Sequence, residues 1–194
     1  MTGTGLLLFT GGAGRRLGGP KHDRPHPAGG TWGGHLVGLF EALRPGAPLQ
    51  VLGASLPDRP DLPVIEDPRQ GPAVALRAWA AQPVPALRAW LLLPCDQVGW
   101  TAESLQGWLA RAEAADPPGK AWVLPSVAGR DQYLGSLLGA ALRPALATLE
   151  ARSLAGLAER LPVVRLPEEG PGWQDVDAPE DLQEKGLAGD LEIS

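Results

Sequence analysis

The stretch Gly11-Gly12-Ala13-Gly14-Arg15-Arg16-Leu17-Gly18-Gly19-Pro20-Lys21 sets three cations in a run of glycines. Glycine lets the main chain approach a ligand closely and turn its N–H groups toward oxygen atoms. The arginines add forked donors that match phosphate oxygens, and Lys21 adds a compact point charge. Phosphate binding is the chemistry this composition suits. A solvated surface turn is the bland alternative, disfavoured because an apolar run, Leu6–Thr10, leads straight into the loop. A second chemical candidate is Asp96, which closes Leu93-Pro94-Cys95-Asp96 after another apolar run. The bland alternative for Asp96 is a turn residue ahead of Thr101.

Those residues need elements to hold them. Leu6–Thr10 reads as a strand buried on both faces, and Trp90–Leu93 as another. Leu36, Leu39, Phe40 and Leu43 recur at helical spacing over 33–44, with Pro45-Gly46 closing that helix. Leu49–Gly53 and Pro63–Glu66 are short strand candidates. Pro72 suits a first helical position ahead of Leu76, Trp79 and Ala80. Thr101 can cap a helix whose inner face is Leu105, Trp108, Leu109 and Ala112. Trp122–Pro125, Tyr133–Leu138 and Val163–Leu166 suggest further strands, and Arg143–Leu149 and Leu154–Leu161 further helices. Asp177-Ala178-Pro179-Glu180 has the form of a capping box opening a last helix through Leu187. Strand–helix alternation of this kind predicts a three-layer α/β/α domain over residues 1–194 around a mostly parallel sheet. Ligands of such sheets sit beyond the carboxyl ends of the strands. The glycine loop and Asp96 both fall at such ends, so fold and chemistry point to one crevice.

Composition narrows the classes. A chain of 194 residues with 44% hydrophobic and 20% charged residues can bury a core without a disulfide or metal staple. The single cysteine, Cys95, excludes a disulfide framework and a CxxC zinc site; it reads as a small buried residue rather than a nucleophile. His22, His26 and His35 make an incomplete zinc set. A net charge of −5 argues against a nucleic-acid partner. With no run of 18 apolar residues and no basic start of a signal peptide, no membrane partner and a cytoplasmic location are expected.

Two familiar phosphate loops fail on spacing. A dinucleotide fingerprint needs GxGxxG, but after Gly14 three residues intervene before Gly18. A Walker loop ends Gly-Lys-Ser/Thr, whereas Pro20 precedes Lys21 and His22 follows it. What does fit is Gly-Gly-x-x-x-Arg-x-Gly followed closely by Lys. With Val64-Ile65-Glu66-Asp67, Gly71-Pro72, Leu93-Pro94-Cys95-Asp96 and Asp177-Ala178-Pro179-Glu180-Asp181-Leu182 in order behind it, the chain resembles the molybdenum cofactor guanylyltransferases of the MobA type, within the nucleotidyltransferase superfamily.

The resemblance implies a fold of the nucleotide-diphospho-sugar-transferase kind and transfer of GMP from Mg-GTP to molybdopterin, usually carrying molybdenum, with release of pyrophosphate. By motif position, Phe9, Thr10, Gly11, Gly12 and Gly14 would hold the nucleotide with Asp67 and Gly71. Arg16 and Lys21 would meet the phosphates, and Asp96 would bind magnesium. Asp177 stands near the family's usual Asn, in a chain that contains no Asn, and is either a second metal ligand or only a helix cap. Contact with molybdenum-cofactor insertion proteins or apo-molybdoenzymes is implied as well. Pro20 replaces the family's Asp before the lysine, Val98 its Pro after the metal Asp, and Arg130-Asp131-Gln132-Tyr133 stands where relatives often show His-Pro. The alternatives are a cytidylyl- or sugar-phosphate nucleotidyltransferase of the same fold, or a non-catalytic nucleotide- or cofactor-binding protein.

Overall fold

A computed structural model describes residues 3–11, 19–176 and 181. The glycine loop from Gly12 to Gly18, with Gly14, Arg15 and Arg16, lies outside them, as do Asp177 and nearly all of the expected last helix.

β1 (Thr4–Phe9) and β4 (Ala89–Pro94) are buried along their whole length. Their side chains alternate between two cores. Leu6, Leu8, Leu91 and Leu93 pack with α1 (Trp32–Leu43) and α3 (Ala102–Ala115). Leu7, Phe9, Trp90 and Leu92 pack with α2 (Pro72–Ala80), α4 (Arg143–Thr148) and α5 (Leu154–Ala158) on the opposite face. A strand covered on both sides has no polar face to show, hence the unbroken apolar runs.

β2 (Leu49–Leu52) and β3 (Val64–Ile65) lie parallel beside β1, giving the order β3-β2-β1-β4. The sheet continues through β7 (Ser136–Gly139), antiparallel to both β4 and β5 (Trp122–Val127). β8 (Val163–Glu168) pairs parallel to β5, and β6 (Arg130–Asp131) folds back on the end of β5. The chain thus steps outward from β1 to β2 and β3, then crosses back to β4. This reversal opens a crevice between β1 and β4.

Local chemistry starts the helices where the sequence predicts. Thr31 caps α1 by accepting from the Gly34 amide at 3.0 Å, and Asp58 in turn accepts from the Thr31 amide and hydroxyl at 2.8 and 2.9 Å. Thr101 and Ser104 form a reciprocal capping box on α3. Pro72 opens α2 behind Gly71, whose φ of +95° suits glycine.

Three elements differ from expectation. β7 begins at Ser136, because Tyr133 and Leu134 stay in a loop: the Ser136 hydroxyl donates to the Tyr133 carbonyl at 2.6 Å and accepts from the Trp122 indole at 2.7 Å. α5 stops at Ala158 instead of continuing to Leu161, since Pro162 disfavours a helical residue before it. The β5–β6 hairpin was not expected; it turns through Ala128 and Gly129, both with positive φ (48° and 76°), the left-handed pair a tight hairpin requires.

Trp108 is fully buried on α3 and meets the Trp173 ring edge-on at 5.0 Å. Trp108→Ala should therefore cost about 3–5 kcal/mol. The check is the urea midpoint, which should fall without a large change in slope.

Candidate functional site

A cleft of about 1150 Å³ lies over the carboxyl ends of β1, β2 and β4. The register Phe9↔Pro94, continued by the Cys95 amide donating to the Phe9 carbonyl at 2.9 Å, sets Thr10-Gly11 beside Cys95-Asp96 on its floor. Lys21 stands on a single 3₁₀ turn (Lys21–Asp23) after Pro20, and its Nζ donates to Asp96 Oδ2 at 2.7 Å. Both side chains are mostly shielded, which strengthens the attraction relative to a fully exposed pair. Residues 75 positions apart in the chain thus form one charged centre.

Phe9, Thr10, Gly11, Asp67, Gly71 and Asp96 all line this cleft. Their side chains are not equally available. The Thr10 hydroxyl accepts from the Ala54 amide at 2.7 Å and faces the Ala54 carbonyl at 2.8 Å, so it ties β1 to the end of β2. Asp67 Oδ1 accepts from the Arg69 amide at 2.8 Å and holds Arg69 in a left-handed turn. Its other oxygen would sit 3.1 Å from a Cβ at Gly11, so that position has little room for a side chain.

Asp175 and Gln97, also on the cleft wall, escaped the sequence reading. Asp175 lines it beside Asp96. Its placement depends on a distant anchor: Trp173 packs edge-on against Trp100 at 4.6 Å and Trp108 at 5.0 Å, while the Val176 amide donates to the Asp96 carbonyl at 3.0 Å. Two glycines permit the approach, for a Cβ at Gly172 would come within 2.6 Å of the Trp100 ring and one at Gly99 within 2.5 Å of the Pro171 carbonyl. The Trp-Gln-Asp spacing, Trp173-Gln174-Asp175, is the only local trace of this arrangement. Gln97, Asp131, Gln132 and Tyr133 complete the far wall.

Burial, reinforced by neighbouring Asp96, pushes the Cys95 thiol far up, which keeps it protonated and inert at neutral pH. Among the described residues no three His, Cys, Asp or Glu side chains converge on a metal-sized site. Asp96 and Asp175 offer hard oxygen donors, the kind magnesium takes in small number while keeping water and phosphate oxygens. No helix among the described residues is long and apolar enough to cross a membrane.

His26 and His35 stack with ring centres 3.6 Å apart next to the segment that follows Asp96. Burial, then the neighbouring His35, push the His26 imidazole down to about 4, against a smaller upward pull from the Val98 carbonyl. Burial lowers His35 too, opposed by the Trp100 carbonyl. The pair is neutral in the fold and serves as a packing contact.

Residues 6–164 match the family model described as the MobA-like NTP transferase domain. No curated protein matches the chain. Among solved structures, the molybdopterin-guanine dinucleotide biosynthesis protein A of Archaeoglobus fulgidus is similar at 16% identity and a TM-score of 0.67, covering 93% of this chain and 96% of the other. The manganese complex of Rv0371c from Mycobacterium tuberculosis matches at 21% identity and TM-score 0.62, over 95% and 97%. The 2-C-methyl-D-erythritol 4-phosphate cytidylyltransferase of Thermus thermophilus matches at 21% and 0.60, over 92% and 95%. At these identities the likeness is one of fold.

Because the unfolded chain binds protons below its histidine pKa of about 6.5 that the folded pair refuses, stability is lost as pH falls from there toward 4. The melting temperature should drop by several degrees between pH 7 and 5, and His26→Gln should flatten that slope. Parallel thermal melts of the two proteins across this range measure the difference.

Proposed function

Because this chain belongs to the MobA-like NTP transferase domain family, we propose that it transfers GMP from magnesium-bound GTP to molybdopterin, releasing pyrophosphate and forming the guanine dinucleotide of the cofactor. The observation that carries the reading is the Lys21–Asp96 pair, 2.7 Å apart, whose aspartate lines the cleft beyond β4. Phosphoryl transfer asks a protein mainly to position its reactants and offset charge, and this centre has the groups to do so.

In this reading the acceptor's phosphate oxygen attacks the α-phosphorus, a P–O bond forms, and the bond to the pyrophosphate oxygen breaks. No protein nucleophile is needed, in keeping with the protonated, buried Cys95. Lys21 exchanges part of its contact with Asp96 for phosphate oxygens and stabilises charge that grows on the transferred group. Arg16, from the loop outside the described residues, would join it. Asp96, with Asp175 and Asp177 as further candidates, would hold magnesium, which when bound neutralises phosphate charge. Gly11, joined by Gly12 from the loop outside the described residues, would leave room for a purine and offer backbone N–H groups to its edge. Asp67 and Gly71 close the nucleotide side, with Phe9 and Thr10 forming its floor. Gln132, Tyr133 and Asp131 line the opposite wall, where the acceptor would lie. Molybdenum-cofactor insertion proteins or apo-molybdoenzymes would then take the product.

The structural likeness extends to the cytidylyltransferase as well as to the Archaeoglobus protein, so base choice is the property to measure. Calorimetric titration of the four magnesium nucleotides should give GTP about tenfold or more over CTP and UTP, a free-energy gap of about 1.4 kcal/mol. A preference for CTP would replace the guanylyl reading with a cytidylyl one.

The charged centre gives a second test. Lys21→Ala and Asp96→Asn should each lower pyrophosphate release by roughly 10²–10³ with GTP and molybdopterin supplied. Both variants should still unfold in one cooperative transition by circular dichroism, at a midpoint lowered by the loss of a mostly shielded ion pair. Normal turnover by a folded Asp96→Asn protein would remove the mechanism.

A further inference from the structure

Away from the cleft, α2 and α5 enclose a second hollow of about 560 Å³. Arg77 from α2, and Arg152 and Arg160 from the segments flanking α5, line it together with Glu150 and Glu159.

Five arginines elsewhere among the described residues are ion-paired. Arg44 and Arg88 pair with Glu113, Arg59 with Glu41 and Asp61, Arg111 with Glu168, and Arg165 with Asp131. Among the described residues Arg77, Arg152 and Arg160 have no carboxylate within 4.0 Å, although two glutamates share the same wall. Arg160 donates one N–H to the Glu150 carbonyl at 3.0 Å, a contact that leaves its charge unneutralised. The Nε of Arg77 is buried and has no hydrogen-bond partner among the described residues. A guanidinium stays charged under all ordinary conditions, and leaving one of its donors buried and unmade is costly. Three guanidinium groups without a carboxylate partner, one of them with a buried donor unmade, thus line one hollow, and together they suit an oxyanion.

We propose that this hollow binds a phosphate group, either free or as a small monoester, at a site separate from the nucleotide cleft. Guanidinium forks arriving from α2 and from both ends of α5 suit a tetrahedral oxyanion. Glu150 and Glu159 leave the lining with a net charge of only +1, which disfavours an extended polyanion such as a nucleic-acid strand. The location links the two sites. Gly71, Pro72 and Ala75 of the α2 start and Leu154 of α5 line the cleft, whereas Val74, Arg77 and Gly156 of the same two helices line the hollow. A phosphate seated there bridges the helices that wall the nucleotide side.

The test separates the sites with a Lys21→Ala background, which removes the cation paired with Asp96 of the cleft. Isothermal titration calorimetry with inorganic phosphate, and in a second arm with glycerol 3-phosphate, should still detect binding in that background. Adding Arg152→Ala and Arg160→Ala, both at exposed positions, should weaken it by about tenfold or more, equivalent to about 1.4 kcal/mol, with an unchanged thermal melt. The arm with the tighter binding identifies free phosphate or monoester as the natural form. Phosphate binding that vanishes with Lys21→Ala alone, or that is indifferent to the two arginine substitutions, overturns the site.

Discussion

The parallel pairing of β1 with β4, in the register Leu6↔Leu91 through Phe9↔Pro94, is the constraint on which the rest of the molecule rests. It closes two hydrophobic cores at once, because each strand sends alternate side chains to opposite layers. It also stops both strands at the same level. The turn after β1 and the aspartate after β4 must then face each other across the reversal of strand order. A one-residue slip would reverse which core each leucine enters, so burial on both faces protects the register and, through it, the position of Asp96.

The other side of the cleft is built by side-chain packing rather than by the sheet. Trp100, Trp108 and Trp173 meet edge-to-face, an arrangement aromatic rings favour, and hold the segment that carries Asp175 against the backbone of Asp96. His26 and His35 stack as a neutral pair against the backbone of Val98 and Trp100, in the segment that follows Asp96. A wall made this way is sensitive to substitutions far from any ligand, because a small shift of Trp173 moves Asp175 with it.

The α2 helix serves two surfaces. Its first turn borders the cleft, and its later residues border the arginine-lined hollow shared with α5. Trp79, in the last turn, donates to Gln50 at 2.7 Å and carries the Arg143 guanidinium 5.0 Å from its ring centre. These polar attachments give the helix fixed reference points on the sheet and on α4.

Much of this was legible in the linear chain. The inner face of α3 emerged whole, since Leu105, Trp108, Leu109 and Ala112 recur at the helical period and all are buried. β1 and β4 emerged for a related reason: strands covered on both faces are written as apolar runs. The mostly parallel α/β class followed from their alternation with helices, and the motif spacings carried the family. Period and turn chemistry are local properties, so they survive without coordinates. The β5–β6 hairpin, the late start of β7 and the place of Asp175 are of another kind. Each depends on partners far along the chain, as Asp175 does on rings from α3 and the loop before it. The same holds for the contact between Lys21 and Asp96 and for the gathering of three arginines around one hollow. Residue types can nominate such groups, but distance and burial are set by packing, and packing exists only once the layers have closed.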